Sequence, residues 1–164
     1  KFSIHDYFFA KSLDLLRPGG VIAFITSSYT MDKQSSAVRK YIAQRAELLG
    51  AIRLPNTAFK ENAGTETVTD ILFLQKRERM IETEPDWLYL DTMIEGFTIN
   101  RYFVEHPEMI LGNLKLDTLQ YGREACVCVP KEDVTLKELL DEAIHHITGT
   151  YQESEAIYLT ATSN

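Results

Sequence analysis

Between Leu13 and Lys76 the chain carries an order of elements that few folds accommodate. A helical stretch runs into Arg17-Pro18-Gly19-Gly20 and passes at once into the apolar run Val21-Ile22-Ala23-Phe24-Ile25-Thr26. Proline cannot continue a helix, and glycine permits the left-handed exit from one. The run that follows does not alternate, which suits a parallel strand covered on both faces. A second helical segment comes next, then the run Leu48 to Leu54, a polar loop, and Asp70-Ile71-Leu72-Phe73-Leu74. These elements predict the second half of an open α/β sheet, a parallel strand followed by a final strand pair. No helix separates that last pair, so antiparallel pairing is expected. No glycine-rich nucleotide loop follows a strand, and Lys1 already sits at the mouth of a helix. The expectation is part of a larger enzyme, cut downstream of its cofactor site.

Local signals place the remaining elements. Ser3 and Asp6 have the spacing of a capping box, and Phe9, Leu13 and Leu16 recur on one helical stripe. Asp32 or Ser35 is expected to cap the next helix, which runs toward Arg45 with Val38, Tyr41 and Ile42 inside. Beyond Met80, Pro85 to Leu90 reads as a short strand, and Ile99 to Met109 as a short helix interrupted at Pro107. Leu114 to Leu119 and Ala125 to Val129 read as two strands of a hairpin. Thr135 and Glu138 open a last helix lined by Leu139, Leu140, Ala143, Ile144 and Ile147, and residues 151–164 read as a tail.

Charge divides the chain. Residues 1–79 hold 12 Lys and Arg against 8 Asp and Glu, a balance of +4, whereas residues 80–164 hold 5 against 16, or −11. Two segments with different tasks are expected, 1–79 and an acidic α+β extension, 80–164. Only the first has a balance suited to a polyanion such as DNA. No apolar run approaches the roughly 20 residues of a membrane span, and no signal-peptide pattern opens the chain. A cytoplasmic protein without a membrane partner is expected. Cys126 and Cys128 share one face of a strand, which makes a poor disulfide and, with no further ligands nearby, a poor metal site.

The segment Leu15 to Thr26 resembles the helix-to-strand step after the catalytic tetrapeptide of N6-adenine DNA methyltransferases. Ile52 to Phe59, with Thr69 to Lys76, resembles that family's final two strands and connecting loop. The likeness is closest to modification subunits of type I restriction systems and, closer still, to large helicase–methylase proteins of phages and conjugative elements. Asn100-Arg101-Tyr102-Phe103-Val104-Glu105-His106-Pro107-Glu108-Met109-Ile110-Leu111-Gly112 resembles a segment those large proteins carry after the methylase domain.

The resemblance implies the carboxyl-terminal half of a Rossmann-like, S-adenosylmethionine-dependent sheet. Its intact parent would transfer a methyl group to adenine N6 in DNA, and the chain alone would be inactive. The cofactor site and catalytic tetrapeptide would lie in a missing amino-terminal methyltransferase half. That half, DNA and a helicase region are the expected partners. By the same resemblance, Phe59 occupies the position that stacks on an extruded base. Thr65, Thr67 and Thr69 fall in the same motif, and Ser27 and Ser28 lie at the adjacent sheet edge. Lys60 and Arg53 are the phosphate partners beside Phe59. Read from the residues alone, Phe59 has a second role open to it, as a plug folded back on the core. The alternatives for the whole chain are a protein-interaction module built on the same sheet and a methyltransferase of RNA or small molecules.

Other candidates have plain structural readings. Asp70 is expected to be a strand-end acid bonded to loop amides, because buried carboxylates need partners. Glu61 and Glu66 read as solvated loop acids, and Lys33, Arg39 and Lys40 as a solvated helix face or phosphate contacts. His145 and His146 are adjacent, so they do not share a helical face for a metal. Ser27-Ser28 lacks the Gly-x-Ser-x-Gly elbow of a hydrolase.

Overall fold

A computed structural model describes residues 3–59, 68–93, 96–118, 124–150 and 160–161. Helix α1, Ile4–Leu15, begins at a capping box: Ser3 N donates to Asp6 Oδ2 at 2.9 Å, and Asp6 N donates to Ser3 Oγ at 3.3 Å. It ends ahead of Pro18 with Leu16 already extended (φ −77°, ψ 140°), and Gly19, beyond the helix end, takes the left-handed turn at a φ of 79°. Lys76 Nζ then donates to the Leu16 carbonyl at 2.7 Å, placing a cation on the helix's exposed carbonyl end. Strand β1, Val21–Ser27, follows, and the four-residue helix α2, Tyr29–Asp32, turns the chain into α3, Ala37–Arg45. Strands β2, Ala46–Leu54, and β3, Thr69–Lys76, complete the central sheet.

That sheet has the order β2-β3-β1-β8, where β8 is Thr160–Ala161. Strand β3 runs antiparallel to both β1 and β2, and β8 parallel to β1. The register is informative: Ser27 faces Thr69 on one side of β3, and Leu54 faces Thr69 on the other. The turn after β1 and the loop after β2 therefore leave the sheet at the same edge. The expected cover on both faces of β1 holds only for its first half, because Ile25 is 61% exposed.

Beyond residue 80 the elements are short. A 3-10 turn at Asp86–Leu88 occupies the middle of the expected strand at 85–90, ahead of β4, Leu90–Thr92. Its partner β5, Thr98–Asn100, takes the start of the helix expected from Ile99. Helix α4, Arg101–Glu105, and a 3-10 turn at Pro107–Met109 supply the rest. Strands β6, Asn113–Thr118, and β7, Glu124–Val129, form the expected hairpin pairing. Helix α5, Leu136–Thr150, opens with the Thr135–Glu138 capping box, but Ile144 faces outward rather than joining Ala143 and Ile147 inside.

One hydrophobic cluster joins the two segments divided at residue 79. It runs from Leu13, Ile42, Ile52 and Leu72 through Trp87, Leu88, Phe103 and Leu111 to Ile147. Close approach is permitted at Gly50, inside the β-bulge between Leu48 and Gly50, where a Cβ would stand 2.7 Å from Ile147 Cγ1. No helix among the described residues is long and apolar enough to cross a membrane.

Candidate functional site: a cleft at the sheet edge and its buried polar support

The edge where β1 and β2 end holds a cleft of about 350 Å³. Ile25, Ser27, Tyr29, Thr30, Lys33 and Thr69 contribute to its walls, with Ser3 and Asp6 from the start of α1. Tyr29 is 66% exposed, and Lys33 holds its ammonium 5.6 Å from the Tyr29 ring centroid. Thr26 and Thr30 share a hydroxyl hydrogen bond of 2.8 Å beneath them. An exposed aromatic ring with a cation over it and a fringe of hydroxyls can stack a planar ring and pair with an anion.

The sequence-predicted residues distribute unevenly around this edge. Ser27 is exposed in the cleft wall, and Ser28 is half-buried with its N–H donated to the Val68 carbonyl at 2.9 Å. Phe59 is half-buried and packs against the hydrophobic cluster. Lys60, Thr65 and Thr67, with Glu61, Gly64 and Glu66, lie outside the described residues.

Four sequence expectations are corrected below the cleft. Arg53 is not a phosphate partner. It is 1% exposed, and its Nε and Nη2 donate to the two oxygens of Asp70 at 2.8 and 2.9 Å. Its Nη1 donates to Asp32 Oδ2 at 2.9 Å, and the Phe103 ring lies 4.4 Å away. Asp70 therefore bonds a guanidinium fork rather than loop amides. Asp32 does not cap α3; its second oxygen accepts from Asn100 N at 2.9 Å. Arg39 is not on a solvated face. It is buried, donating twice to the Leu88 carbonyl and once to that of Thr30.

The electrostatics follow from this packing. Burial alone would lower the Arg53 pKa, but the charges and bonds of Asp70 and Asp32 outweigh it and hold the guanidinium above its ordinary value. Burial draws the Asp70 carboxyl upward, while the Arg53 fork opposes that. With both oxygens held by charge-assisted bonds of such length, the pair is ionised. Burial also pushes the thiols of Cys126 and Cys128 up, to about 11 and about 12. Both are free cysteines, and Cys128 is fully enclosed. Among the described residues no group of three or more His, Cys, Asp or Glu is placed to hold a metal.

Sequence reasoning missed Asn100 altogether. Its side chain donates to the carbonyls of Met31 and Trp87, each at 2.8 Å, and accepts from Tyr102 N at 2.9 Å. A usable signal was present for the ion pair: Arg53 and Asp70 are the charged residues inside two apolar strand runs, and the register sets them opposite each other.

Among the described residues, Gly19 and Gly20 precede β1, Gly50 lies inside β2, Gly96 holds a φ of 88° ahead of β5, and Gly112 abuts the backbone of β7.

No protein-family model and no solved structure matches the chain. It is 37% identical over 72 residues to Defense against restriction protein B of Escherichia phage P1. That match covers 43% of this chain and 3% of the relative, so the chain spans a small fraction of the relative's length. The similarity overturns the methyltransferase expectation, both as a family and as an activity on DNA, RNA or small molecules: the relative is named for defence against restriction, and nothing supports methyl transfer. The physical reason is plain. A helix stopped by Pro-Gly-Gly and an antiparallel strand pair are dictated by backbone geometry and are not specific to methyl chemistry. What the similarity does show is likeness, over part of this chain, to a protein whose name refers to restriction.

Proposed function

We propose that the chain is a nucleic-acid-contacting segment of a protein that protects DNA against restriction, and that the cleft between β1 and α2 is its contact. The match to a phage protein named for that defence carries the proposal. Restriction acts on DNA, so a protein opposing it has DNA within its reach. The cleft supplies suitable chemistry. Tyr29 offers a stacking face of the kind that contributes ~1–3 kcal/mol per base, and Lys33 stands beside it for a phosphate. Hydroxyls of Ser27 and Thr69 line the same edge. Free thiols at Cys126 and Cys128 fit a reducing, cytoplasmic setting.

Titrating labelled single-stranded and duplex oligonucleotides tests this reading. Tyr29→Ala is expected to weaken binding about tenfold, in line with the loss of one stacked base. Lys33→Gln is expected to reduce the slope of log affinity against log salt by roughly one. Transfer of unmodified DNA into a restricting host should fall when either substitution is carried by the whole protein. Absence of binding by the unsubstituted chain, or unchanged affinity in both variants, overturns the proposal.

A further inference from the structure

The segment from Asn100 to Gly112 lies outside the cleft, yet its polar groups converge on the helix that forms the cleft's wall. Helix α2 is only four residues long, too short to hold its own shape in water. Its backbone is fixed from outside. Arg39 Nη1 donates to the Thr30 carbonyl at 3.1 Å, and Asn100 Nδ2 donates to the Met31 carbonyl at 2.8 Å. Asp32 accepts from Asn100 N with one oxygen and from Arg53 with the other. Arg53 is itself gripped by residues of the same segment: the Phe103 ring packs on its guanidinium, and Leu111 N donates to its carbonyl at 2.8 Å. Asn100 thus bonds α2 at two places, and Phe103 and Leu111 of the same segment support Asp32 indirectly by holding Arg53.

We infer that residues 100–111 form a latch that sets the position of α2, with Asn100 as the positioning residue for Tyr29 and Lys33. The acidic segment is then part of the cleft's construction rather than an appendage. The inference rests on the reading of the cleft as a nucleic-acid contact only for its functional consequence; the latch itself stands on the hydrogen bonds.

Hydrogen exchange in the full chain separates the two. In Asn100→Ser, the amides of Asp32 and Lys33 are expected to exchange about tenfold faster, while those of Ile22, Leu72 and Leu74 in the sheet stay within about twofold. Unchanged exchange at Asp32 and Lys33, or an equal rise through the sheet, overturns the latch. If Asn100→Ser does not fold, the unsubstituted chain in sub-denaturing urea decides. There Asp32 and Lys33 should open together with Asn100 and Tyr102 and before the sheet, and independent opening of the two groups refutes the inference.

Oligonucleotide affinity completes the test. A loss of about tenfold in Asn100→Ser, with the sheet intact, supports the positioning role. Affinity within twofold despite a loosened α2 overturns that role. Failure of the unsubstituted chain to bind removes the nucleic-acid reading and leaves the exchange result to judge the latch.

Discussion

Arg53 shows how much a single side chain depends on its partners. A guanidinium enclosed to this degree is unfavourable unless its nitrogens find acceptors, and here Asp70 takes Nε and Nη2 while Asp32 takes Nη1. Removing Asp70 leaves the buried guanidinium with Asp32 alone against it and two of its nitrogens without their acceptors. Asp70→Ala is therefore expected to destabilise the chain by about 3–5 kcal/mol, read from urea denaturation midpoints at constant m. Replacing both members by apolar residues, as in Arg53→Met with Asp70→Leu, should recover much of that loss. A Asp70→Ala variant that melts like the unsubstituted chain would mean the pair is not enclosed as described. Asp32, the last residue of α2, would then also lack the enclosed charge that one of its two partners supplies.

Elements written by neighbouring residues were legible in the sequence, and those written by distant ones were not. The α1 capping box, the Pro-Gly-Gly stop, the β6–β7 hairpin and the start of α5 each depend on residues within a few positions. Between Pro85 and Asn100 the expected strand and the helix start are displaced because the conformation there is imposed from elsewhere, whereas the helix interrupted at Pro107 is present as α4 and the turn after it. Asn100 ends β5 and caps α4 while bonding residues 69 and 13 positions away, which no local pattern encodes. The cleft was half-legible: Ser27 could be placed from strand order, whereas the prominence of Tyr29 follows from the way α2 is held. Gly50 belongs to the same class, an unremarked residue inside an apolar run. A methyl group there meets Ile147 on α5, so Gly50→Ala is expected to cost about 1–3 kcal/mol. Ile147→Ala should relieve the clash, making the double variant less destabilised than the sum of the singles. Strict additivity in that thermodynamic cycle would show that β2 and α5 do not press together at this point.

At the scale of the whole molecule, charge and packing divide the chain differently. The balance changes from +4 to −11 at residue 79, yet the apolar side chains on either side of that position belong to one cluster. Among the described cations before residue 80, Arg39 and Arg53 are internal, and Arg39 spends two of its donors on the Leu88 carbonyl. A chain ending at residue 79 would lose Trp87, Leu88, Phe103, Leu111 and Ile147 from its core. Each such burial contributes roughly 1.5–3 kcal/mol, so together they rival the ~5–15 kcal/mol that ordinarily separates folded from unfolded domains. It would also leave Arg39 without the Leu88 carbonyl and Asp32 without Asn100, so buried polar groups would lose partners as well. Residues 1–79 alone are accordingly expected to lack a cooperative thermal transition and dispersed amide resonances, although every strand of the β2-β3-β1 core is present in them. Addition of residues 80–164 as a separate polypeptide should restore both signals, because the lost contacts are non-covalent. A truncated chain that melts cooperatively by itself would show that the acidic segment is docked onto a finished core.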